Sequence, residues 1–202
     1  RSDFAADGSA KVAQNAVTTT DVLNIALNRD IVASTDHSFT TKIDDWKVTN
    51  QRASGRCWLF AMLNAFRPGT MKEMGLKEFE FSQAHIHFWD KFERANHFLD
   101  AMIKTADRPI DDRTVAFLLG GPIDDGGQWN MAVNLVMKHG LVPKSASPES
   151  KSSSATRRMN QILLHLLRAS AAELRGLAAD GASEAELNAH KETRMNDVWR
   201  IL

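Results

Sequence analysis

Gln51-Arg52-Ala53-Ser54-Gly55-Arg56-Cys57-Trp58-Leu59-Phe60 is the stretch that decides how this chain is read. Its apolar content predicts a helix from Cys57 to Phe66, apolar nearly all round and so central to a domain. Pro68-Gly69 is expected to end it. Gly55 sits in the loop just ahead of the thiol. Cys57 then falls at a helix N-terminus, where free N–H groups and the positive dipole end favour thiolate over thiol. Those N–H groups can also bind the negative oxygen formed when a thiolate attacks a carbonyl. Gln51 lies six residues upstream, and its side-chain amide is a neutral donor able to supply a second hydrogen bond to that oxygen. Arg56 adds local positive charge, and Trp58 gives the helix start a large anchor. Each element alone is common; the reading rests on their coincidence.

Cys57 is the only cysteine among 202 residues. It cannot form an internal disulfide, so a reducing, cytoplasmic setting is the simpler expectation. A single thiol cannot build a Cys-rich zinc site either. Two readings of it remain, a small buried hydrophobe or a nucleophile. Lys+Arg and Asp+Glu balance at 25 each, which gives no basic excess for nucleic acid and no polybasic block for an anionic membrane. Apolar residues make up 43%, enough for a packed core. The longest apolar runs, Cys57 to Leu63 and Ile162 to Leu167, are far shorter than a membrane span. No charged start with an apolar run behind it marks a leader at the N-terminus.

Outward from the central helix, residues 1–20 read as a polar arm, and Asp21 as the cap of a short helix through Val22, Leu23, Ile25, Ala26 and Leu27. Residues 35–56 read as irregular, around Ile43, Trp46 and Val48. Ser82 opens a long helix with Ile86, Trp89, Phe92, Leu99 and Ile103 on one face and Lys91, Glu93, Arg94 and Asp100 on the polar side. Gly120-Gly121-Pro122 and Gly126-Gly127 are turn signals. Trp129, Val133, Val136 and Met137 have helical spacing, and Gly140 suits the position just past that helix. Residues 143–156, PKSASPESKSSSAT, hold six serines and two prolines and read as a linker. Beyond it, Met159, Ile162, Leu163, Leu166, Leu167, Leu174 and Leu177 form a helical stripe, broken at Asp180-Gly181. Ser183 with Glu186 is a capping box for a last helix, so 157–202 reads as a helical hairpin. That last pattern is still running at Leu202, the expectation for a chain that has been cut. Two domains are expected: 1–150, an arm with the helical domain that bears the thiol, and 151–202, the linker and hairpin.

Small residues followed by Cys-Trp match the pattern around a papain-type nucleophile, with Arg56 in place of the usual small residue before the thiol. The stretch QRASGRCWLFAMLN resembles the bleomycin hydrolase and aminopeptidase C family, a branch of the papain-like cysteine peptidases in which Arg is usual at that place. NAVTTTDVLNIALNRD at 15–30, DDWKVTNQ at 44–51, FSQAHIHFWDKFERANHFLD at 81–100 and DDGGQWNMAVNLVMKHGLVPKSASPES at 124–150 extend the resemblance, and the hairpin fits it more loosely. The family commonly has an aromatic where this chain has Ala146-Ser147, and this chain contains no Tyr, which implies altered packing around the cleft. The resemblance implies an α+β papain-like fold of which these residues are the mainly helical first domain plus a hairpin insertion, with the β-rich second domain missing. It also implies cleavage of peptide substrates from the N-terminus by way of an acyl-enzyme, and a barrel-like homohexamer. Gly126 and Gly127 read from spacing first as a plain turn ahead of the helix at Gln128. The resemblance implies a further role, binding extended substrate backbone that approaches closely where no Cβ intervenes.

A papain-type thiol needs a histidine as acid and base and an Asn or Asp to orient it. His190 lies 133 residues after Cys57 but among Glu184, Glu186, Lys191 and Glu192 on a solvent-facing helix. His85 and His87, two apart on a helix, point to different sides and cannot chelate one metal. His85, His97 and His165 read as surface or satisfied core residues, and His139 as a cation suited to a helix end. The base and its orienting residue are therefore expected from a C-terminal segment or a companion chain, so this chain alone is expected to be inactive in turnover. No metal or cofactor is expected. The competing reading is a non-catalytic helical assembly or binding module that keeps the thiol as a relic and uses the hairpin as its surface.

Overall fold

A computed structural model describes residues 6–40 and 47–202. Ile43, Trp46 and the first five residues of the expected arm lie outside the described residues, as do the first positions of the 44–51 block. The chain divides into two compact units, residues 1–44 and 45–202.

In the first unit the expected arm is a helix instead. The helix α1 (Gly8–Thr19) starts at Asp7, whose carboxylate accepts from the Ser9 N–H at 2.8 Å. Ala10, Lys11, Ala13, Gln14 and Ala16 supply the helix propensity, and the cap supplies the start, although no α1 residue is buried. Asp21 caps α2 (Val22–Ile25) as expected, accepting from Leu23 N–H. Asn28 opens α3 (Arg29–Ser34) by accepting from the N–H groups of Asp30 and Ile31, a helix in a stretch to which the sequence pattern assigns no element.

The second unit begins its helices at Cys57. The first, α4 (Cys57–Met74), does not stop at Pro68-Gly69 but carries Pro68 inside it. A proline there removes one backbone hydrogen bond. Buried Arg67 and Met71 on either side hold the next turn against the protein, so tertiary packing overrides the local breaker. The helix ends where Gly75 turns left-handed at φ 66°, with Leu76 N–H on Met71 O and Gly75 N–H on Lys72 O. Ser82 caps α5 (Gln83–Lys104) through His85 N–H at 3.0 Å. Next come α6 (Arg113–Gly120) and α7 (Trp129–His139), the latter closed by Gly140 at φ 71°. In α7 the inward residues are Ala132 and Leu135, whereas Trp129 and Met137 of the expected stripe are exposed. The Ser-rich segment contains a short turn of helix, α8 (Lys151–Ser154), ahead of α9 (Arg157–Ala179) and α10 (Glu184–Ile201). Gly181 at φ 86° and the Ser183–Glu186 capping box turn the α9–α10 hairpin as expected.

Helix α5 is the spine of this unit. Its first turn places Ile86 in one core with Leu59, Met62 and Leu63 of α4 and Ala132 and Leu135 of α7. Its second half places Ala95, Phe98, Leu99 and Met102 in another core with Met159, Leu163, Leu167 and Leu174 of α9 and Leu187, Met195 and Val198 of α10. Two cores on different sides bury most of the helix circumference. Lys91, expected on the polar side, is fully buried for that reason. Among the described residues there is no strand, only isolated bridges of Ala53 with Ala155 and of Phe81 with Pro143, and no helix is long and apolar enough to cross a membrane.

The hairpin gives a paired stability test. Leu163 is fully buried in the second core, whereas nothing lies within 4 Å of where a Cβ would stand at Gly176. Leu163→Ala is expected to cost about 2–5 kcal/mol, and Gly176→Ala to add roughly 0.5–1 kcal/mol, both read from urea denaturation midpoints.

Candidate active site

Cys57 is the first residue of α4 and is exposed. No side chain caps this helix start, so its N–H groups are not claimed by a Ser, Asp or Asn. Arg56 occupies the cap position, and its side chain turns inward with 1% exposure. Both guanidinium ends donate to Glu149, Nη1 to Oε1 at 2.8 Å and Nη2 to Oε2 at 3.0 Å. Nε donates to Ser54 Oγ at 2.8 Å, and the guanidinium lies 5.2 Å from the centroid of the Phe60 ring. Ser54 Oγ in turn donates to the Gln51 carbonyl at 2.6 Å. Gln51 itself is half-buried, and its side-chain Oε1 is buried without a hydrogen-bond partner. An unsatisfied buried acceptor costs about 1–3 kcal/mol; as an acceptor it cannot hold an oxyanion, a role open only to the Nε2 donor of the same amide. The next residue, Arg52, is a non-glycine at φ 58° whose N–H is held by Asn50 Oδ1 at 2.8 Å.

The segment read as a linker is part of this frame. Ala53 N–H donates to Ser154 O at 3.0 Å, and Thr156 N–H donates to Ala53 O at 3.3 Å. Ser153 Oγ donates to Glu149 Oε2 at 2.5 Å. Partial burial pushes the Glu149 carboxyl up, but the hydrogen bonds from Arg56 and Ser153 outweigh it and hold the group below its ordinary range. Serine-rich composition predicts a loop; these serines and this glutamate have partners that composition does not encode.

The glycine pair stands beside the same loop. Gly126 N–H donates to Gly55 O at 3.0 Å, and Gly126 O accepts from Arg94 Nη2 at 2.5 Å. Arg94 is oriented by buried Asp90 at 2.8 Å. A Cβ on Gly127 would stand 2.7 Å from the Trp58 ring, and one on Gly55 would collide with Asp125. Asp125 Oδ1 accepts from Lys91 Nζ at 2.7 Å and from Asn160 Nδ2 at 2.9 Å, and Oδ2 accepts from Thr156 Oγ1 at 3.0 Å. Partial burial works against its ionisation, but these donors prevail and bring its pKa to about 2. Lys91 also donates to the carbonyls of Ile123 and Asp124. Ser54, Gly55, Asp124, Asp125, Arg157 and Asn160 are among the residues lining a cleft of about 600 Å³.

His87 lies beneath this frame, buried, with Nε2 unpartnered. Burial first, and then the cations Lys91 and Arg56, push its pKa down from 6.5 to about 3, so it is neutral at neutral pH. Two other histidines do have carboxylate partners, His139 with Glu93 while stacked on Trp89, and His190 with Glu173. Among the described residues no group of three or more His, Cys, Asp or Glu side chains is placed to hold a metal ion.

The profile of the Peptidase C1-like family matches residues 1–202. The chain belongs to that family. It is similar to bleomycin hydrolase of Gallus gallus, 47% identical over 195 residues that make up 95% of this chain and 43% of that protein. Aminopeptidase C of Streptococcus thermophilus is 44% identical over 200 residues, 99% of this chain and 45% of that protein. Among solved structures, PepW from Lactobacillus rhamnosis HN001 superposes with a TM-score of 0.89 at 43% identity, covering 99% of this chain and 45% of PepW. The chain thus spans a little under half the length of these family members.

Of the residues singled out by sequence, Gln51 and Cys57 lie on one loop and the helix it feeds, and Gly126 is tied to that loop through Gly55. Sequence reasoning missed Ser54, Glu149, Lys91 and Asp125. Glu149, Lys91 and Asp125 carry no local signal beyond their charge, and their ion-pair partners are distant in the chain.

His87 sets a pH test. Its folded-state value lies below the unfolded 6.5, so the unfolded chain binds the proton first as pH falls. The fold therefore loses stability from about pH 6.5 toward about pH 3. His87→Phe keeps a ring of similar size and removes the titration. Its urea midpoint is expected to fall less than the parent's between pH 7 and pH 5.

A steric test addresses the glycines. Gly127→Ala must move the Trp58 ring or the backbone, and it is expected to cost about 1–3 kcal/mol and to slow alkylation of Cys57 by iodoacetamide, followed by mass spectrometry.

Proposed function

We propose that this chain is the nucleophile-bearing part of a cysteine peptidase of the bleomycin hydrolase and aminopeptidase C type. The carrying observation is one loop and helix start, with an exposed thiol at the uncapped N-terminus of α4 and half-buried Gln51, whose side-chain Nε2 is a neutral donor, on the loop before it. The thiolate sulfur of Cys57 attacks a peptide carbonyl carbon, and the negative oxygen is held by the Cys57 N–H and the Gln51 amide. The C–N bond breaks, the amine leaves with a proton, and a thioester remains on Cys57 until water hydrolyses it. The histidine that carries the proton, and the asparagine that orients it, come from outside these 202 residues. In this reading a β-rich domain completes an α+β papain-like fold, residues 1–150 form the helical domain and 151–202 an insertion. Gly126 and Gly127 hold extended substrate backbone. Family membership further supports peptide substrates trimmed from the N-terminus and assembly as a homohexamer, and the single free cysteine supports a reducing cytoplasmic setting.

An activated ester tests the nucleophile without the missing histidine, because p-nitrophenolate leaves without needing a proton. Mixing the 202-residue chain with a p-nitrophenyl aminoacyl ester is expected to release one equivalent of p-nitrophenolate and leave the acyl group on Cys57, seen as a mass gain. Acylation should outpace that of a free thiol, vanish in Cys57→Ala and slow by about tenfold or more in Gln51→Ala. A Cys57 no faster than glutathione would remove the support for this reading.

A further inference from the structure

We infer that Glu149 is a positioning residue for the oxyanion donor, acting on Gln51 through Arg56 and Ser54. The inference rests on the reading of Cys57 and Gln51 proposed above and goes beyond it, because Glu149 lies 93 residues from Arg56 in sequence.

The direction of each hydrogen bond is fixed by chemistry. A guanidinium has donors only, so Ser54 Oγ must accept from Arg56 Nε. The hydroxyl then has one proton to give, and the Gln51 carbonyl is 2.6 Å away to receive it. Glu149 takes both remaining ends of the guanidinium, a bidentate geometry that fixes the plane as well as the position. A chain of directed bonds thus runs from Glu149 to the backbone of Gln51. The same Arg56 is the cap residue directly before Cys57, so one carboxylate sets both the start of the nucleophile helix and the loop that carries the amide.

Burial makes this more than a surface ion pair. Arg56 and Ser54 are both buried, and Glu149 is itself anchored by Ser153 and Ser154. The loop is braced twice by the same segment, since Ser154 and Thr156 pair with Ala53. Across Gln51, Asn50 Oδ1 accepts from the N–H of Arg52, which is left-handed at φ 58°. The peptide that follows Gln51 is therefore held at its carbonyl by Ser54 and at its N–H by Asn50, which fixes the point from which the side-chain amide donor projects.

The two chemistries of Cys57 separate this role from a merely structural one. Alkylation by iodoacetamide passes through no oxyanion, whereas acylation by an ester does. In Glu149→Gln, acylation by the p-nitrophenyl ester is expected to fall between about tenfold and a hundredfold, the scale of a slightly misplaced group. Alkylation of Cys57 should stay within about twofold of the parent, since its rate follows the thiol and not the oxyanion. Glu149→Asp, which keeps the charge, should recover part of the loss. Ser54→Ala breaks the same chain while leaving the ion pair intact, and it decides the matter if Glu149→Gln does not fold, as checked by circular dichroism. Gln51→Ala combined with Ser54→Ala should be no slower than Gln51→Ala alone.

Folded Glu149→Gln and Ser54→Ala variants that acylate like the parent, while Gln51→Ala is slow, would overturn the inference and leave the proposed function standing. Alkylation falling in step with acylation would also overturn it, because Glu149 would then act on the thiol. Gln51→Ala acylating like the parent would defeat the oxyanion assignment and this inference together.

Discussion

A guanidinium buried one residue ahead of Cys57 constrains everything around it. Moving an ion of that size out of water carries an idealised cost on the order of 20 kcal/mol, and several kcal/mol remain after relaxation. Arg56 escapes this only because Glu149 meets it in two places, Ser54 takes the third donor and Phe60 stacks below. Residues 143–156 must then be ordered, since Glu149 cannot hold Arg56 from a mobile linker. Once Glu149 is fixed, Ser154 and Thr156 lie where they pair with Ala53, and α9 begins immediately afterward at Arg157. The start of the hairpin and the start of the nucleophile helix are thus set by one ion pair.

The same device appears on the Gly126 side. Lys91 is fully buried in α5 and is met by Asp125 and two carbonyls, and Asp125 in turn collects Thr156 and Asn160 from the beginning of α9. Gly55 must be a glycine because Asp125 presses against it. The candidate site is therefore framed by two buried cations whose carboxylates both reach to the hairpin side. Residues 151–202 share a core with α5 and also brace the loop, so they are tied to the chemistry and do not simply decorate it.

What was legible in the sequence was local. Ser82, Asp21, the Ser183–Glu186 box and Gly140 mark ends of helices through bonds that span a few residues, and a reader of the chain sees all the atoms involved. Cys57 at a helix start and Gln51 on the loop before it are of the same kind, and the family resemblance added the glycine pair. Pro68 was misread because what carries α4 past it is the burial of Arg67 and Met71, a tertiary fact. Lys91 was misread because a helix wheel assumes one buried face, and α5 serves two cores. Glu149 was invisible because its partner is 93 residues away and its neighbours spell a linker.

Charge arithmetic beneath the site explains why His87 stays neutral. It feels Arg56 and Lys91 together, and protonating it would add a third cation to the cluster. The carboxylates in reach are Glu149 and Asp125, and the oxygens of both are already taken by donors. Their charges still favour the protonated ring, but with their oxygens engaged they do not outweigh desolvation and the two cations. The order in which acid weakens the frame follows from this. The cost of keeping His87 unprotonated grows first, while Asp125, held at about 2, keeps Lys91 paired far into acid. The Lys91–Asp125 pair is accordingly kept far into acid, whereas the neutral ring of His87 is penalised well before it is lost.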